Sequence, residues 1–499
     1  MLKKKIISMA FFFFYVAAHA REETADSLLR EVFDEGGYAP ADSTYNWTQA
    51  LHRVHATMRQ SLAFYRSSGA EKALLVALKE RRHAVWIVDG TLYVDRDFLG
   101  SMKNEMHLKT MYAALANAKR LGDDDHGSQH VGAGVSVYAY ERSANGGHHC
   151  NESLPFLVIA KKTYDAACGV MIPNPYFENP YEKWRHDFED FLALGKRKDW
   201  AKRNPRVFWR GRVRGHPNST CDSDAGNFAR LSASALTLRY PRLFDVRPTK
   251  CSLRGNSECD ATFQVNSYEK RAAGDKCSGV RGTFVDHEKF ADFRYLLDLP
   301  GSTSGSYSRN LNHLWLLGAV VMIWKGPLLD DDGGGTQWYS PALQDGHTHL
   351  LVTRDSAPKF AEALSLQSSS SSSAEKNSSA ASFRRYLVAN ARDVAMRFLC
   401  PDCIIRFFMA VLHGIRTQMP ELFDLLNAPP GHDIAERRKD LLYHKGQCKK
   451  LNLVQVVGDS GGGKYWKVAT KPLTFSACDF LDRGSARWLP REAVAHHKN

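Results

Sequence analysis

Residues 293–324 read FRYLLDLPGSTSGSYSRNLNHLWLLGAVVMIW and contain the signals of a strand, a loop, a helix and a second strand. Residues 293–299 form an apolar run typical of a buried strand, and residues 319–324 form another. A helix between two such strands is the connection that parallel strands require. The stretch therefore predicts a βαβ unit and directs the fold toward α/β layers.

The loop inside this unit, residues 301–309, is rich in glycine and serine and ends on Arg309. Helix signals begin at Tyr307 or Ser308 and end at Gly318. Free backbone N–H groups and the positive end of a helix dipole attract anions, and arginine adds charge-assisted hydrogen bonds. In open α/β sheets, ligands bind at the carboxyl ends of the strands, where this loop is expected. The pattern indicates an anion or nucleotide site, with an ordinary solvated loop as the alternative.

Strand and helix signals alternate along the rest of the chain. Residues 83–95 predict a hairpin around Asp89-Gly90. Helices are expected at 103–121 and 184–194, and further strands at 132–141, 154–162, 203–212 and 349–355. The serine run 368–373 indicates a surface insertion over 365–382, and the tail beyond residue 429 carries no pattern that predicts its fold.

The N-terminus has the layout of a secretory signal peptide over residues 1–20. Lys3, Lys4 and Lys5 precede the apolar run 6–18, and Ala18-His19-Ala20 is a small-x-small cleavage site. Spanning a bilayer takes about 20 apolar residues, which disfavours the alternative of an uncleaved anchor. The chain is therefore expected in the secretory lumen, in the endoplasmic reticulum or Golgi, with secretion left open.

Cysteines and glycosylation signals fit that compartment. The chain has 10 cysteines, most of which should pair in an oxidising environment, although their spacing does not assign the pairs. Sequons for N-glycosylation begin at Asn46, Asn151, Asn218 and Asn377.

The net charge is +13, or +10 without the three lysines of the leader. A basic balance suits nucleic acid, anionic lipid or an anionic small ligand, and a mildly basic surface without a partner is the plain alternative. Entry into the secretory pathway argues against nucleic acid.

Four segments in order resemble glycosyltransferase family 90, which contains protein O-glucosyltransferases and capsule-associated xylosyltransferases. They are PFLVIAKK…GVMIPNPYF (155–177), KRKDWAKRNPRVFWRGR (196–212), HEKFADFRYLLDLPGSTSGSYSRNLNHLWLLGAVVMIW (287–324) and QWYSPALQDGHTHLLV (337–352). The resemblance covers roughly residues 80 to 410. Its most specific parts are the Trp-Arg-Gly turn and the Ser-x-Ser-Arg segment before a glycine and a strand.

The resemblance implies a GT-B architecture, in which two Rossmann-like domains face each other across a cleft. The expected division is an acceptor-side domain at 21–200, a UDP-sugar-binding domain at 201–428 and a C-terminal extension at 429–499. It also implies inverting transfer from a UDP-sugar without a bound metal or other cofactor.

Carried over residue by residue, the resemblance assigns the UDP-sugar site to two segments. The first is the Trp-Arg-Gly turn with Arg210, Gly211 and Arg212. The second is the glycine- and serine-rich loop, with Ser304, Gly305, Ser306, Ser308 and Arg309. Without a metal, the charge that develops on the leaving diphosphate must be met by arginines and backbone N–H groups.

The base of the family is an aspartate that follows a strand, and the matching position here is Glu141. Glutamate can take a proton from an acceptor hydroxyl as aspartate does, although it reaches one methylene further. An exposed loop acid without a catalytic role is the alternative. A second departure is Gln337, where the family usually has an acid.

Other motifs are better explained as structure. Asp123–Asp125 and Asp330–Asp332 contain the Asp-x-Asp of metal-dependent transferases but read as solvated acidic turns. Cys400-Pro-Asp-Cys403 reads as two structural half-cystines rather than a zinc or redox pair, and His148-His149-Cys150 lacks a partner cluster. GDSGG at 458–462 lacks the context of a serine protease.

The sequence therefore predicts an enzyme that moves glucose or xylose from UDP-glucose or UDP-xylose to a protein serine, threonine or glycan hydroxyl. The alternative is an inactive relative that binds a nucleotide-sugar or glycan. A secreted disulfide-rich protein without nucleotide chemistry is a further alternative. A membrane is a partner only if the leader stays attached.

Overall fold

The structure is a computed structural model with a mixed α/β fold, as predicted. It describes residues 44–65, 69–100, 102–121, 134–141, 153–161, 168–173, 183–214, 225–252, 281–300, 310–325, 337–366, 379–444, 448–458, 468–473 and 476–483. The expected signal peptide lies outside these residues, and so do Ser368–Ser373 of the serine-rich insertion.

The strands and helices below are those of the described residues. The strands are β1 Ala84–Val88, β2 Thr91–Asp95, β3 Val135–Glu141, β4 Phe156–Val158, β5 Val170–Met171, β6 Asn204–Arg214, β7 Phe244–Ser252, β8 Phe293–Asp298, β9 Val320–Trp324, β10 Leu350–Val352, β11 Leu453–Gly458 and β12 Val468–Pro472. The α-helices are α1 Trp47–Ala63, α2 Ala70–Lys79, α3 Met102–Leu121, α4 Lys183–Arg197, α5 Ala225–Arg239, α6 His287–Phe290, α7 Leu311–Leu314, α8 Ser356–Leu366, α9 Ser379–Val394, α10 Pro401–Gln418, α11 Pro420–Asn427, α12 Asp433–Tyr443 and α13 Ala477–Arg483.

The chain divides into two compact units, each assembled from separated segments. The parallel-sheet unit comprises Met1–Ala50, Phe188–Gly335 and Ala342–Arg397. The mixed-sheet unit comprises Leu51–Asp187, Thr336–Pro341 and Phe398–Asn499. This division departs from the sequence-based one at several points. Residues up to Ala50 belong to the parallel-sheet unit, and the boundary expected after residue 200 lies before Phe188. Residues 336–341 and 398–428 belong to the mixed-sheet unit, and so does the expected C-terminal extension at 429–499.

The parallel-sheet unit is built on strands in the order β10-β9-β8-β6-β7, all parallel among the described residues. Counted along the chain this order is 2-1-3-4-5, the flavodoxin-like doubly wound arrangement. It confirms the parallel pairing expected for residues 293–299 and 319–324. Starting from β6, the chain adds β7 on one side and then β8, β9 and β10 on the other side. The carboxyl ends of β6 and β8 are therefore the topological switch point.

Both faces of this sheet are buried, as parallel sheets require. Alternate residues of the strands form one apolar cluster with helices α5, α8 and α9: Val207, Trp209, Val246, Tyr295, Leu297, Val320, Met322, Leu350, Ala233, Phe360 and Leu387. Phe208, Leu296 and Val321 are buried on the opposite face. Each fully buried side chain of this size stabilises the fold by about 1.5–3 kcal/mol, so the strand core dominates the stability of the unit.

Arg203 and two glycines fix the entry into β9. Gly318 has φ 63°, and a Cβ on Gly195 at the end of α4 would lie 2.4 Å from the carbonyl oxygen of Leu316. Arg203 is buried and donates hydrogen bonds of 2.8–2.9 Å to the carbonyls of Gly195, Leu317 and Gly318. The backbones of α4 and the turn before β9 therefore touch because both positions lack a side chain.

The helix before β9 is shorter than the sequence predicts. Within the described residues α7 spans Leu311–Leu314 and is followed by turns up to Gly318. Its predicted start at Tyr307 or Ser308 lies outside those residues. A single described turn carries little dipole, so any anion affinity of this region depends more on arginines and loop N–H groups than the sequence suggests.

The mixed-sheet unit has strands in the order β12-β11-β2-β1-β3-β4-β5 among the described residues. In the first part of this order, β12, β11, β2, β1 and β3 each pair antiparallel with the next strand. In the second part, β3 pairs parallel with β4, and β4 pairs parallel with β5. Only the second part has the parallel pairing of a Rossmann-like sheet.

The predicted hairpin at residues 83–95 is confirmed. Asp89 and Gly90 have φ values of 47° and 72°, as a type I′ turn needs. The Asp89 carboxylate also accepts a hydrogen bond from the backbone N–H of Gly134 (2.8 Å), which ties the hairpin to the start of β3.

Helix α10 supplies the mixed-sheet unit with an apolar stripe at helical spacing: Ile404, Ile405, Phe408, Val411, Leu412 and Ile415. Among the described residues no single helix has the length and apolarity to cross a membrane. Ala381–Leu399 and Pro401–Gln418 meet that criterion only as an interrupted pair.

Candidate functional site

The candidate site of the parallel-sheet unit lies at the carboxyl ends of β6 and β8. The expectation of a turn at Trp-Arg-Gly is wrong: Arg210, Gly211 and Arg212 lie in the last part of β6, which stays paired with β7 up to Arg214. The segment 301–309 follows β8 after Pro300. Because β6 and β8 are neighbours and parallel, the two segments singled out by sequence begin at the same edge of the sheet.

Arg210 is held tightly within the protein. Its Nη1 donates to the carbonyls of Trp209 (2.9 Å) and Asp245 (2.7 Å), and its Nη2 donates to the Asp245 carboxylate (2.9 Å). The guanidinium lies over the Phe208 ring at 4.4 Å. A Cβ on Gly282 would come within 2.9 Å of its Nε, so this glycine covers the arginine closely. Burial lowers the pKa of Arg210, and the neighbouring Asp245 acts in the opposite direction.

Asp245 organises a positively charged cluster. Among the described residues it forms ion pairs with Arg210 (2.9 Å), Arg247 (3.0 Å) and Arg206 (3.7 Å). The side chains of Arg206 and Arg247 are each 35% exposed, whereas that of Arg210 is 11% exposed. One carboxylate facing three guanidinium groups leaves an excess of positive charge, which favours an anion nearby.

Gly211 is required by packing against its own strand. A Cβ at this position would lie 2.3 Å from the Trp209 indole, which is buried. The register of β6 and β7 also shifts between Gly211 and Arg212, because Thr249 of β7 is an extra residue there and forms a bulge in β7 opposite this point of β6. Arg212 follows this point and is exposed, which leaves its side chain more accessible than that of Arg210.

Arg230 of helix α5 joins the ends of the two strands. Its Nε donates to the Pro300 carbonyl (2.8 Å), and its Nη1 donates to the carbonyl of Arg212. The guanidinium also lies 5.6 Å from the centre of the Trp209 ring. One side chain therefore fixes the entry to loop 301–309 against the end of β6.

Asn310 fixes the other end of the same loop. Its Nδ2 donates to the Arg210 carbonyl (3.3 Å), and its Oδ1 contacts His287 Nε2 at 3.2 Å. The His287 ring stacks on His313 with centroids 4.2 Å apart, and Phe191 meets His313 edge-on. The exit of loop 301–309 is thus also anchored on β6.

Several sequence-predicted residues lie within that loop and outside the described residues: Ser304, Gly305, Ser306, Ser308 and Arg309. Their assignment to the UDP-sugar site stays a prediction. The described flanks, Pro300 and Asn310, bracket them.

Arg230, Asp245 and Asn310 were not found by sequence reasoning. Asn310 directly follows the Ser-x-Ser-Arg segment and could have been included with it. Arg230 and Asp245 lie 20 and 35 residues beyond Arg210, and only the parallel pairing of β6 with β7 and the packing of α5 bring them together.

Glu141 belongs to the mixed-sheet unit. It is the last residue of β3 and pairs with Val158 of β4, which places its backbone at the carboxyl end of two parallel strands. The sequence predicts an acid directly after a strand, whereas Glu141 is still part of β3. Its catalytic role stays a prediction.

Lys161 is a buried cation near the end of β4 that sequence reasoning missed. It is fully buried, its Nζ donates to Ser61 Oγ (2.9 Å), and burial lowers its pKa to about 8. The only sequence signal was a lysine directly after an apolar strand.

Gln337 is 1% exposed, and neither side-chain amide atom has a hydrogen-bond partner among the described residues. Trp338 beside it packs on Phe407 with ring centroids 4.2 Å apart. A buried amide without a partner is costly. Gln337 is therefore, like Lys161, a buried polar side chain of the mixed-sheet unit that the core packing alone does not explain.

The remaining motifs fall into two groups. The aspartate runs 123–125 and 330–332 and the His148-His149-Cys150 segment lie outside the described residues. Within the described residues no group of three or more His, Cys, Asp or Glu side chains could hold a metal ion. Cys400 and Cys403 are joined in a disulfide.

A scan against protein-family models gave no match for this chain, and a search of curated proteins gave none either.

Proposed function

We propose that this protein is an inverting glycosyltransferase that uses a UDP-sugar donor without a bound metal. The donor carries glucose or xylose, and the acceptor is a serine, threonine or glycan hydroxyl in the secretory pathway. The proposal includes a GT-B arrangement, in which the two units face each other across the donor site.

The observation that supports it most is the anchoring of loop 301–309. Arg230 ties Pro300 to the end of β6, and Asn310 ties the loop exit to the Arg210 carbonyl. The two described flanks of the glycine- and serine-rich segment are thereby both fixed at the switch point of a doubly wound sheet. Such a position suits a nucleotide diphosphate.

In the proposed reaction, the Glu141 carboxylate takes the proton of the acceptor hydroxyl as its oxygen attacks the anomeric carbon. The bond from that carbon to the UDP oxygen breaks through an oxocarbenium-like transition state, and the configuration inverts. Charge develops on the leaving diphosphate, where Arg309, Arg212 and loop N–H groups stabilise it. Because Arg210 is paired with Asp245, we expect it mainly to position the end of β6 rather than to bind the diphosphate.

That same pairing favours a second candidate function, binding of a nucleotide-sugar or glycan without transfer. Because Arg210 already donates hydrogen bonds to the Asp245 carboxylate and to two backbone carbonyls, it has fewer N–H groups left to donate to a diphosphate. Slow hydrolysis of the UDP-sugar would distinguish the two functions. A transferase slowly transfers the sugar to water when no acceptor is present, whereas an inactive binding protein does not.

Donor binding is tested first by thermal shift with UDP, UDP-glucose, UDP-xylose and GDP, with and without EDTA. We expect UDP compounds to stabilise the protein with or without EDTA, since the site relies on arginines. Arg309→Ala should abolish the shift because it removes a cation that we propose binds the diphosphate. The matched control is Arg242→Ala, an exposed arginine before β7 at the opposite edge of the sheet, which should bind as wild type does. An Arg309→Ala protein with an unchanged UDP shift would remove the loop from the site.

The base is tested separately. Glu141→Gln should keep the UDP-sugar thermal shift and lose transfer by about 100-fold or more, since the amide cannot accept the proton. Glu141→Asp keeps a carboxylate and should retain part of the activity. Equal turnover of Glu141→Gln and wild type would exclude Glu141 as the base.

A further inference from the structure

The Cys400–Cys403 disulfide closes the first turn of a long helix. Cys400 is the N-cap residue of α10, Pro401 takes the first helical position, and Cys403 lies one turn inside. Both cysteines are only partly buried, whereas Cys448 and Cys478 of the same unit are buried thiols. A π-helical turn, Ala395–Leu399, directly precedes the pair.

The two sulfurs have different surroundings. Cys400 Sγ accepts a hydrogen bond from the backbone N–H of Cys403 (3.0 Å). Because the helix has 18 residues, its N-terminal dipole also acts on a sulfur at the N-cap position. Both effects stabilise negative charge on Cys400 once the disulfide opens. Asp402 lies between the cysteines and opposes them, but its side chain is exposed and its charge is screened by solvent.

We propose that Cys400 and Cys403 form a redox-active pair that exchanges with thiols and disulfides of the glutathione class, in addition to the proposed glycosyl transfer. In the reduced pair Cys400 is the thiolate that attacks oxidised glutathione, and Cys403 is the resolving cysteine that then closes the disulfide. The inference is independent of the UDP-sugar site, because it depends only on residues of α10 and the turn before it.

The exchange balances in two steps. A glutathione thiolate attacks Cys400 Sγ, the Cys400–Cys403 bond breaks, and Cys403 leaves as a thiolate that takes up a proton. A second glutathione thiolate attacks the mixed disulfide at the glutathione sulfur, releases Cys400 as a thiolate and forms oxidised glutathione. The protein disulfide gains two electrons, and two glutathione thiols lose them. In the reverse direction oxidised glutathione reoxidises the pair.

The first test uses the full chain in its wild-type form. The protein is equilibrated with mixtures of reduced and oxidised glutathione, quenched with acid, alkylated and mapped by peptide mass spectrometry. We expect the pair to pass from disulfide to dithiol within the range of these mixtures. A pair that stays oxidised even in reduced glutathione alone is a structural bond and overturns the proposal.

The second test assigns the roles with Cys403→Ser and Cys400→Ser, each treated with oxidised glutathione. Cys403→Ser should form a mixed disulfide at Cys400 on the order of tenfold faster than Cys400→Ser does at Cys403, since the N-cap hydrogen bond and the helix dipole both stabilise the Cys400 thiolate. The reverse order overturns the assignment of Cys400 as the attacking thiolate. Cys448 and Cys478, mapped in the same samples, are internal controls and should react more slowly than Cys400, because burial raises the pKa of both thiols. The wild-type titration decides the proposal even if a variant fails to fold.

Discussion

At the scale of single residues, Gly195 shows how a missing side chain determines the packing of a helix. Alanine normally stabilises a helix interior relative to glycine by about 0.5–1 kcal/mol. At Gly195, however, the added Cβ would meet the backbone of Leu316 and Leu317 at 2.4 and 2.7 Å, and backbone atoms cannot rotate away. Overpacking of this kind costs about 1–3 kcal/mol.

We therefore expect Gly195→Ala to lower the free energy of unfolding by about 1–2 kcal/mol, because the steric cost exceeds the gain in helix propensity. Urea denaturation followed by circular dichroism measures it. Gly69→Ala is the control without a steric clash: a Cβ there has nothing within 4 Å, so only the weaker N-cap preference of alanine, about 0.5 kcal/mol, should lower stability. A Gly195→Ala protein as stable as wild type would show that α4 can shift away from the turn before β9.

At the scale of secondary-structure elements, Arg438 joins three helices of the mixed-sheet unit. From α12, its Nη1 donates to the carbonyls of Leu426 and Ala428 (both 3.0 Å) at the end of α11. Its Nη2 donates to the carbonyl of Asp482 in α13. Burial disfavours the charged guanidinium and lowers the pKa of Arg438. The carbonyls that accept its hydrogen bonds offset this cost.

Arg438→Met keeps much of the side-chain length and removes every donor. We expect it to lower the free energy of unfolding by about 3 kcal/mol or more, since several buried carbonyls lose their partners. Its neighbour Arg437 carries the same charge on an exposed side chain paired with Glu71, so Arg437→Met should cost less than about 1 kcal/mol. Equal midpoints for the two variants in chemical denaturation would contradict the role of Arg438.

Most strands and helices with a continuous apolar pattern could be predicted from the sequence. Strands whose apolar residues are interrupted by polar residues or proline could not. The runs that became β8 and β9 and the Asp89-Gly90 hairpin are confirmed because pattern and turn chemistry agree locally. Strand β7 was missed, since arginine, proline, threonine and lysine interrupt its apolar residues, and its pairing with β6 supplies the stability. Strand β12 (VATKP) is interrupted in the same way, whereas β11 (LVQVVG) was missed although its residues are mostly apolar. The partner of β11 is β2, a distant part of the chain, so no local hairpin signal accompanied it on that side.

The candidate site follows the same rule. The glycine- and serine-rich segment and the Trp-Arg-Gly motif are each contiguous in sequence and could be recognised there. The contacts that hold them, from Arg230, Asp245 and Asn310, depend on which strands become neighbours and how α5 packs. Strand order is not encoded in any local pattern, so these residues became apparent only from the structure.

At the scale of the whole molecule, the C-terminal segment completes a sheet that begins near residue 84. Strand β11 lies between β2 and β12. A chain that ends at Pro429 would leave β2 as an open edge and should lose the protection of β1 and β2 in hydrogen exchange. A chain that ends at Arg483 retains every described strand and is the matched control. Continued protection of residues 84–95 in the shorter chain would show that the hairpin is stable without its C-terminal partner.

The distance between β2 and β11 along the chain also has a consequence during synthesis. Strand β2 ends at Asp95, and its partner begins at Leu453. Ribosomes add about 5–20 residues per second, so the edge of β2 waits roughly 20–70 seconds for its neighbour. An open edge for that time can pair with other nascent chains. The yield of folded protein should therefore depend on holding chaperones, and on translation speed, more strongly than the stability of the finished fold suggests.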